Sequence, residues 1–181
     1  CDQIYIMGID GSDIRRVSTG RGVTTCSFIS PTADRIIYAS THLAGDSCPP
    51  KPSYSRGYVW ALYPGFDVFS ARSDGSDLKR LTETPGYDAE AVFSPDGSKI
   101  LFTSVRDGDL ELYAMNADGS NPVRLTHELG YDGGAFFSAD GKRICYRAHH
   151  PTDSAASADY KSLLADGLIR PKTLELFVMN A

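Results

Sequence analysis

Tyr113-Ala114-Met115-Asn116-Ala117-Asp118-Gly119-Ser120 is written more than once in this chain. It stands upstream as Tyr5-Ile6-Met7-Gly8-Ile9-Asp10-Gly11-Ser12 and as Phe69-Ser70-Ala71-Arg72-Ser73-Asp74-Gly75-Ser76, and its first part returns as Phe177-Val178-Met179-Asn180-Ala181. The intervals are 64, 44 and 64 residues (5 to 69, 69 to 113, 113 to 177). Eighteen residues after each Ser comes Ser30-Pro31, Ser94-Pro95 or Ser138-Ala139. Six residues further on come the apolar triplets Ile36-Ile37-Tyr38, Ile100-Leu101-Phe102 and Ile144-Cys145-Tyr146. Two internal spacings held over three copies exclude coincidence. The unit is 44 residues long, and two copies carry twenty extra residues at the same place.

Each unit reads as four short antiparallel strands. In the middle copy the pattern predicts strands over 89–93, 99–104, 111–116 and through Val123-Arg124-Leu125-Thr126. Asp-Gly supplies the positive backbone dihedrals that tight hairpins need, and β-branched and aromatic residues fill the strands. Four such strands per unit make the blade of an all-β propeller. Pro122 borders the last strand, which suits an outer edge where a missing N–H donor costs little. Units fall at about 2–65, 66–109 and 110–173, with the start of another at 174–181; the insertions are about 41–65 and 149–173.

Composition narrows the function classes. The net charge of -5 comes from 23 acids against 18 bases spread along the chain, so no basic stripe for a nucleic-acid partner is present. No apolar run reaches the roughly 18 residues of a membrane helix. The chain does not open with a basic region followed by an apolar one, so an export signal is expected to be removed or to lie outside these residues. No Gly-x-Ser-x-Gly elbow, cofactor-binding motif or ligand-spaced metal set is found, and no catalytic residue is assigned.

The set aromatic-x-Met-Asn-x-Asp-Gly-Ser, Arg80-Leu81-Thr82, Gly86-Tyr87-Asp88 and Phe93-Ser94-Pro95-Asp96-Gly97 resembles the WD40-like PD40 repeat of TolB-type β-propellers. The first copy departs from it, with Val23-Thr24 for Tyr-Asp and Thr32-Ala33 for Asp-Gly. The resemblance implies a six-bladed ring in a periplasmic or extracellular setting, used as a binding surface for a protein, peptide or glycan. About three and a quarter blades are counted here. The remaining blades are therefore expected to lie outside these residues, or a second chain completes the ring. Relatives of the repeat also gate peptidases through a separate hydrolase domain. Pectate-degrading lyases that resemble the repeat class hold a metal with channel histidines. Either would make this chain part of an enzyme.

Both insertions fall on the face of the strand-two-to-three connectors, opposite the Asp-Gly turns. The first holds Cys48-Pro49-Pro50-Lys51-Pro52, then Tyr54, Arg56, Tyr58, Trp60 and Tyr63. Its aromatics either stack on a ligand or pin the loop to the propeller. The second carries a helix signal, with Ser154 or Ser157 as cap, Tyr160, Leu163, Leu164 and Leu168 as an apolar stripe, and Gly167 as terminator. It is expected to form a lid or wall.

Alignment of the copies gathers further polar groups near that face. Asp88 and Asp132 match Thr24; Glu90 matches Cys26 and Gly134; His42 matches His150, which His149 precedes. Asp88 and Asp132 are expected to fix the entering turn through backbone hydrogen bonds. Arg16, Arg80 and Arg124 recur once per unit, as an ion pair or as stem packing between blades. Cys26 and Cys48 are expected to form a disulfide, with Cys145 buried and free. Cys1 is read as a fragment boundary, and Asp107-Gly108-Asp109 as a turn.

Overall fold

The computed structural model describes residues 1–181. In chain order, β1 (Tyr5–Ile6) pairs with β2 (Arg15–Arg16). β3 (Thr24–Ile29), β4 (Arg35–Ser40), the short β5 (Trp60–Ala61), β6 (Asp67–Arg72) and β7 (Lys79–Arg80) follow. Then come β8 (Asp88–Phe93), β9 (Lys99–Ser104), β10 (Glu111–Asn116) and β11 (Val123–Arg124). The last group is β12 (Tyr131–Phe137), β13 (Arg143–His149), helix α1 (Ser154–Ala165), β14 (Leu168–Ile169) and β15 (Glu175–Asn180). The main sheets run β3-β4-β6-β7, β8-β9-β10-β11 and β12-β13-β15, all antiparallel. These sheets resemble propeller blades stacked face to face.

The apolar triplets explain the stacking. Alternate residues of a strand point to opposite faces, so a sheet covered on both sides needs an unbroken apolar run. Ile100 and Phe102 pack with Ile37 and Val68 of the preceding sheet, whereas Leu101 packs with Ala135 and Ile144 of the following one. Each such side chain, once buried, contributes about 1.5–3 kcal/mol. Cys145 occupies the position of Leu101 but is exposed and free. Its face is the one Leu101 turns toward a following sheet, and within these residues no sheet covers it; the expected burial does not hold.

At the turns, Gly75 and Gly119 take φ of +86° and +90°. A Cβ at Gly119 would stand 2.7 Å from the Leu81 carbonyl oxygen of the neighbouring sheet. The turn therefore needs glycine for conformation and for space.

The disulfide differs from expectation: Cys48 bonds to Cys1, with Cα atoms 5.3 Å apart, and Cys26 is free. The Thr24 N–H donates to the Asp2 carbonyl at 3.1 Å and the Gly22 N–H to the Asp46 carbonyl at 2.9 Å. Those bonds bring residues 46–48 over the start of the chain, whereas Cys26 lines a cleft. The helix cap also differs. Asp153, not a serine, accepts the Ala156 N–H at 2.8 Å, a carboxylate at the positive end of the helix dipole. Gly167, at φ +66°, follows the helix end.

Candidate functional site

The first strands of the three main sheets, β3, β8 and β12, share one repeated irregularity. The pairing of each first strand with the second slips between Thr25 and Phe28, Ala89 and Val92, or Gly133 and Phe136. At the slip Cys26, Glu90 and Gly134 take φ of +52°, +57° and +57°. Such a bulge re-aims the side chain it carries. Glu90 gathers four donors: Arg147 Nη2 at 2.7 Å, Gly134 N–H at 2.8 Å, Thr103 Oγ1 at 2.9 Å and Tyr131 Oη at 3.0 Å. Beside this node lies a cleft of about 390 Å³, floored by Phe28, Ala91, Val92, Ala135 and Phe136. Burial, with the nearby Glu90 charge, holds the Tyr131 phenol well above its ordinary range.

The acids at the strand entries do not cap turns through backbone bonds as expected; each reaches across to the end of the second strand. Asp88 is paired with Arg106 at 3.2 Å, and the guanidinium stacks 4.9 Å from the Phe102 ring centroid and 4.8 Å from that of Tyr113. Asp132 stands 2.9 Å from His150 Nε2. Burial raises both carboxyls, Asp132 to about 6, against the lowering effect of the arginine or imidazole. Thr24 instead donates to the Asp2 carbonyl.

The histidines are engaged separately. His42 Nδ1 lies 2.8 Å from Ser40 Oγ with its ring against Phe69, and burial, then Arg21 and Arg80, lowers its pKa. His149 Nδ1 meets Thr173 Oγ1 at 3.0 Å. No group of three or more His, Cys, Asp or Glu side chains is placed to hold a metal ion. Two of the three repeated arginines form ion pairs, Arg80 with Asp67 at 2.7 Å and Arg124 with Glu111, whereas Arg16 forms none. Gln3 stands where those acids stand in the first copy and receives the Ser18 hydroxyl and Gly20 N–H instead.

The two insertions meet. β5 pairs with β14, and the Leu62 N–H donates to the Gly167 carbonyl at 2.7 Å. Leu62, Leu110, Tyr131, Tyr160 and Ile169 bury one another beneath this ribbon, with Trp60 and Leu164 at the edge. The Tyr160 hydroxyl donates to Asp109, whose other oxygen accepts the Gly130 N–H, so the Asp107–Asp109 turn docks the helix. Arg56 is drawn inward, pairing with Asp166 at 2.8 Å and Asp159 at 3.5 Å, while its carbonyl accepts from Arg170. Tyr54 and Tyr58 stay outside, 56% and 66% exposed, with ring centroids 6.4 Å apart and planes within 12°. Trp60 Nε1–H donates to the Tyr58 hydroxyl at 3.0 Å, and Arg147 lies 5.5 Å from the Trp60 ring centroid. One guanidinium thus links the cap to the Glu90 node.

Sequence reasoning missed Arg106, Arg147 and Tyr131. Arg106 was findable, since it occupies the repeat position of His42 and His150; Tyr131 shares the Gly-Tyr-Asp motif with Tyr87. Arg147 aligns with Thr103 and Ala39, and no periodic signal marks it.

A family model described as the TolB beta propeller domain, PD40, matches residues 64–166. The chain belongs to this family. Among TolB-type relatives, the Tol-Pal system protein TolB of Bordetella pertussis is 49% identical over 39 residues, 22% of this chain and 9% of that protein. The structure of a TolB from Agrobacterium tumefaciens superposes with a TM-score of 0.71 at 19% identity, over 98% of this chain and 52% of that one. This chain thus spans about half the length of that TolB. A puromycin-hydrolysing peptidase of Mycobacterium tuberculosis shares the fold over 77% of this chain and 22% of its own, with TM-score 0.55 and 16% identity. At such identities the likeness concerns the fold alone.

Proposed function

We propose that this chain is a non-catalytic interaction scaffold of the bacterial cell envelope, which holds a protein or peptide partner on the face formed by the two insertions. The observation that carries this reading is the cap. Two loops, far apart in sequence, are built into one ordered layer that leaves Tyr54 and Tyr58 exposed and is linked through Trp60 to Arg147 at the rim of the apolar cleft. Exposed aromatics held in an ordered layer are the usual anchors of a protein interface. The polar groups of the Glu90 node are already paired, which suits recognition better than chemistry.

An oxidising compartment, periplasmic or extracellular, is supported by the Cys1–Cys48 bond and by the TolB relatives. No helix is long and apolar enough to cross a membrane.

The test is site-specific photo-crosslinking in an envelope extract, with the reactive group placed at Tyr58 or, on the opposite face, at Asp118. Adducts of defined mass from position 58 alone are expected. Equal labelling from both positions would sink the assignment of the face.

A further inference from the structure

Neighbouring sheets are joined by a repeated polar junction. In its first complete form Asp67 on β6 and Asp88 on β8 come together where the Asp88 N–H donates to the Phe66 carbonyl at 3.0 Å. The Thr82 hydroxyl accepts the Val68 N–H at 2.9 Å and lies within hydrogen-bonding reach of both carboxylates. Each acid has its own guanidinium: Arg80 serves Asp67, and Arg106 serves Asp88 together with Ser104. Two carboxylates face two cations that do not release their protons.

The next junction has the same plan with two replacements. Glu111 on β10 and Asp132 on β12 are brought together by the Asp132 N–H donating to the Leu110 carbonyl at 2.9 Å. Thr126 accepts the Leu112 N–H at 2.9 Å and lies near Asp132. Arg124 serves Glu111. His150 stands in the place of Arg106, and Ala148 in that of Ser104. The junction has lost a hydroxyl and a permanent cation. Of three buried side-chain polar atoms without a partner in the whole chain, two are Glu111 Oε2 and Asp132 Oδ2. A buried carboxylate oxygen left bare is costly.

We propose that Asp132 is a proton-binding joint between the two sheets, in which the folded chain takes one proton from solvent onto Asp132 Oδ2 while His150 holds Oδ1. A proton there removes the bare buried charge that Arg106 and Ser104 offset at Asp88 in the preceding junction. The charged and titratable groups facing it are His150 and Tyr146 from β13 and its end, Glu111 with Arg124 from β10 and β11, and Asp107 beyond Arg124. Burial first, and the Glu111 charge after it, raise the Asp132 carboxyl to about 6 from 3.8. A carboxyl raised on folding binds its proton more tightly in the folded chain. Its contribution to stability is complete below the unfolded value and is lost as pH rises through about 6. The second insertion leaves β13 at His149 and His150, so mild acid tightens the root of the cap.

Thermal unfolding of the wild type, Asp132→Asn and His150→Arg between about pH 5 and about pH 8 tests the joint. The Asn amide carries no charge at any pH. Asp132→Asn is therefore expected to melt about 5 °C above the wild type at the alkaline end, with the gap closing at the acid end. His150→Arg, which restores the arrangement of Asp88 and Arg106, is expected to flatten the wild-type pH dependence. A gap between the wild type and Asp132→Asn that is independent of pH overturns the proposal. Should the variants fail to fold, infrared difference spectra of the wild type must show a buried protonated-carboxyl band at the acid end and its loss at the alkaline end. The absence of that band overturns the proposal equally.

Discussion

On the turn side of the molecule, Asp10, Asp74 and Asp118 each accept the backbone N–H and the hydroxyl of the serine two residues on. Ser30, Ser94 and Ser138 each accept the backbone N–H five residues on. On the opposite side, equivalent positions hold Thr24, Asp88 and Asp132, or Cys26, Glu90 and Gly134, and the partners of each differ. The first side closes hairpins, a demand every blade makes in the same form. On the second side the side chains at these equivalent positions diverge. Variation among copies therefore marks where a repeat protein does its work.

Six substitutions and one reductive treatment probe that contrast through urea unfolding, with Cys26→Ala set beside Glu90→Ala as its repeat-equivalent control. Glu90→Ala strips four donors of their acceptor and leaves Arg147 unpaired, and is expected to cost about 3–5 kcal/mol. Cys26→Ala, at the same repeat position, should cost less than about 1 kcal/mol. Equal losses would contradict the divergence of that face. Reduction of Cys1–Cys48 is expected to cost about 2–4 kcal/mol. Thiol titration of the folded, unreduced chain should find only Cys26 and Cys145; labelling of Cys48 would refute the pairing.

On the uniform side, Gly75→Ala and Gly119→Ala should each cost about 1–2 kcal/mol through their positive φ, with the second the larger because of the Leu81 carbonyl. A twofold or greater excess for Gly75 would break the ordering. Smallest of all, Tyr54→Ala and Tyr58→Ala should move stability by no more than about 0.5 kcal/mol, yet abolish photo-adduct formation in extracts when the crosslinker is carried at the other tyrosine.

The blades were legible because two spacings and an apolar triplet state them directly; β9 (Lys99–Ser104) and β10 (Glu111–Asn116) fall on their predicted residues. What sequence could not supply were contacts between elements with no shared period. Cys48 finds Cys1 only because residues 46–48 cross back over the first strand. Arg147 belongs to the site only because the bulges at Glu90 and Gly134 aim toward it. Asp153 caps α1 in place of the two serines because the helix begins one residue earlier than the serine signal implies. Asp88 and Asp132 were found, but their partners lie eighteen residues on, across a hairpin, beyond the local turn chemistry first assigned to them.

The ribbon that ties the insertions together also orders events in time. Arg56 and Arg170, joined through it, are separated by 114 positions. Blade hairpins close loops of a few residues and can form as soon as they are synthesised, whereas a pairing so distant pays its loop-closure entropy late. The cap is therefore the last layer to assemble and the first to open. A chain interrupted before Leu168 would retain its hairpins with Trp60 stranded in water, a ready target for proteases.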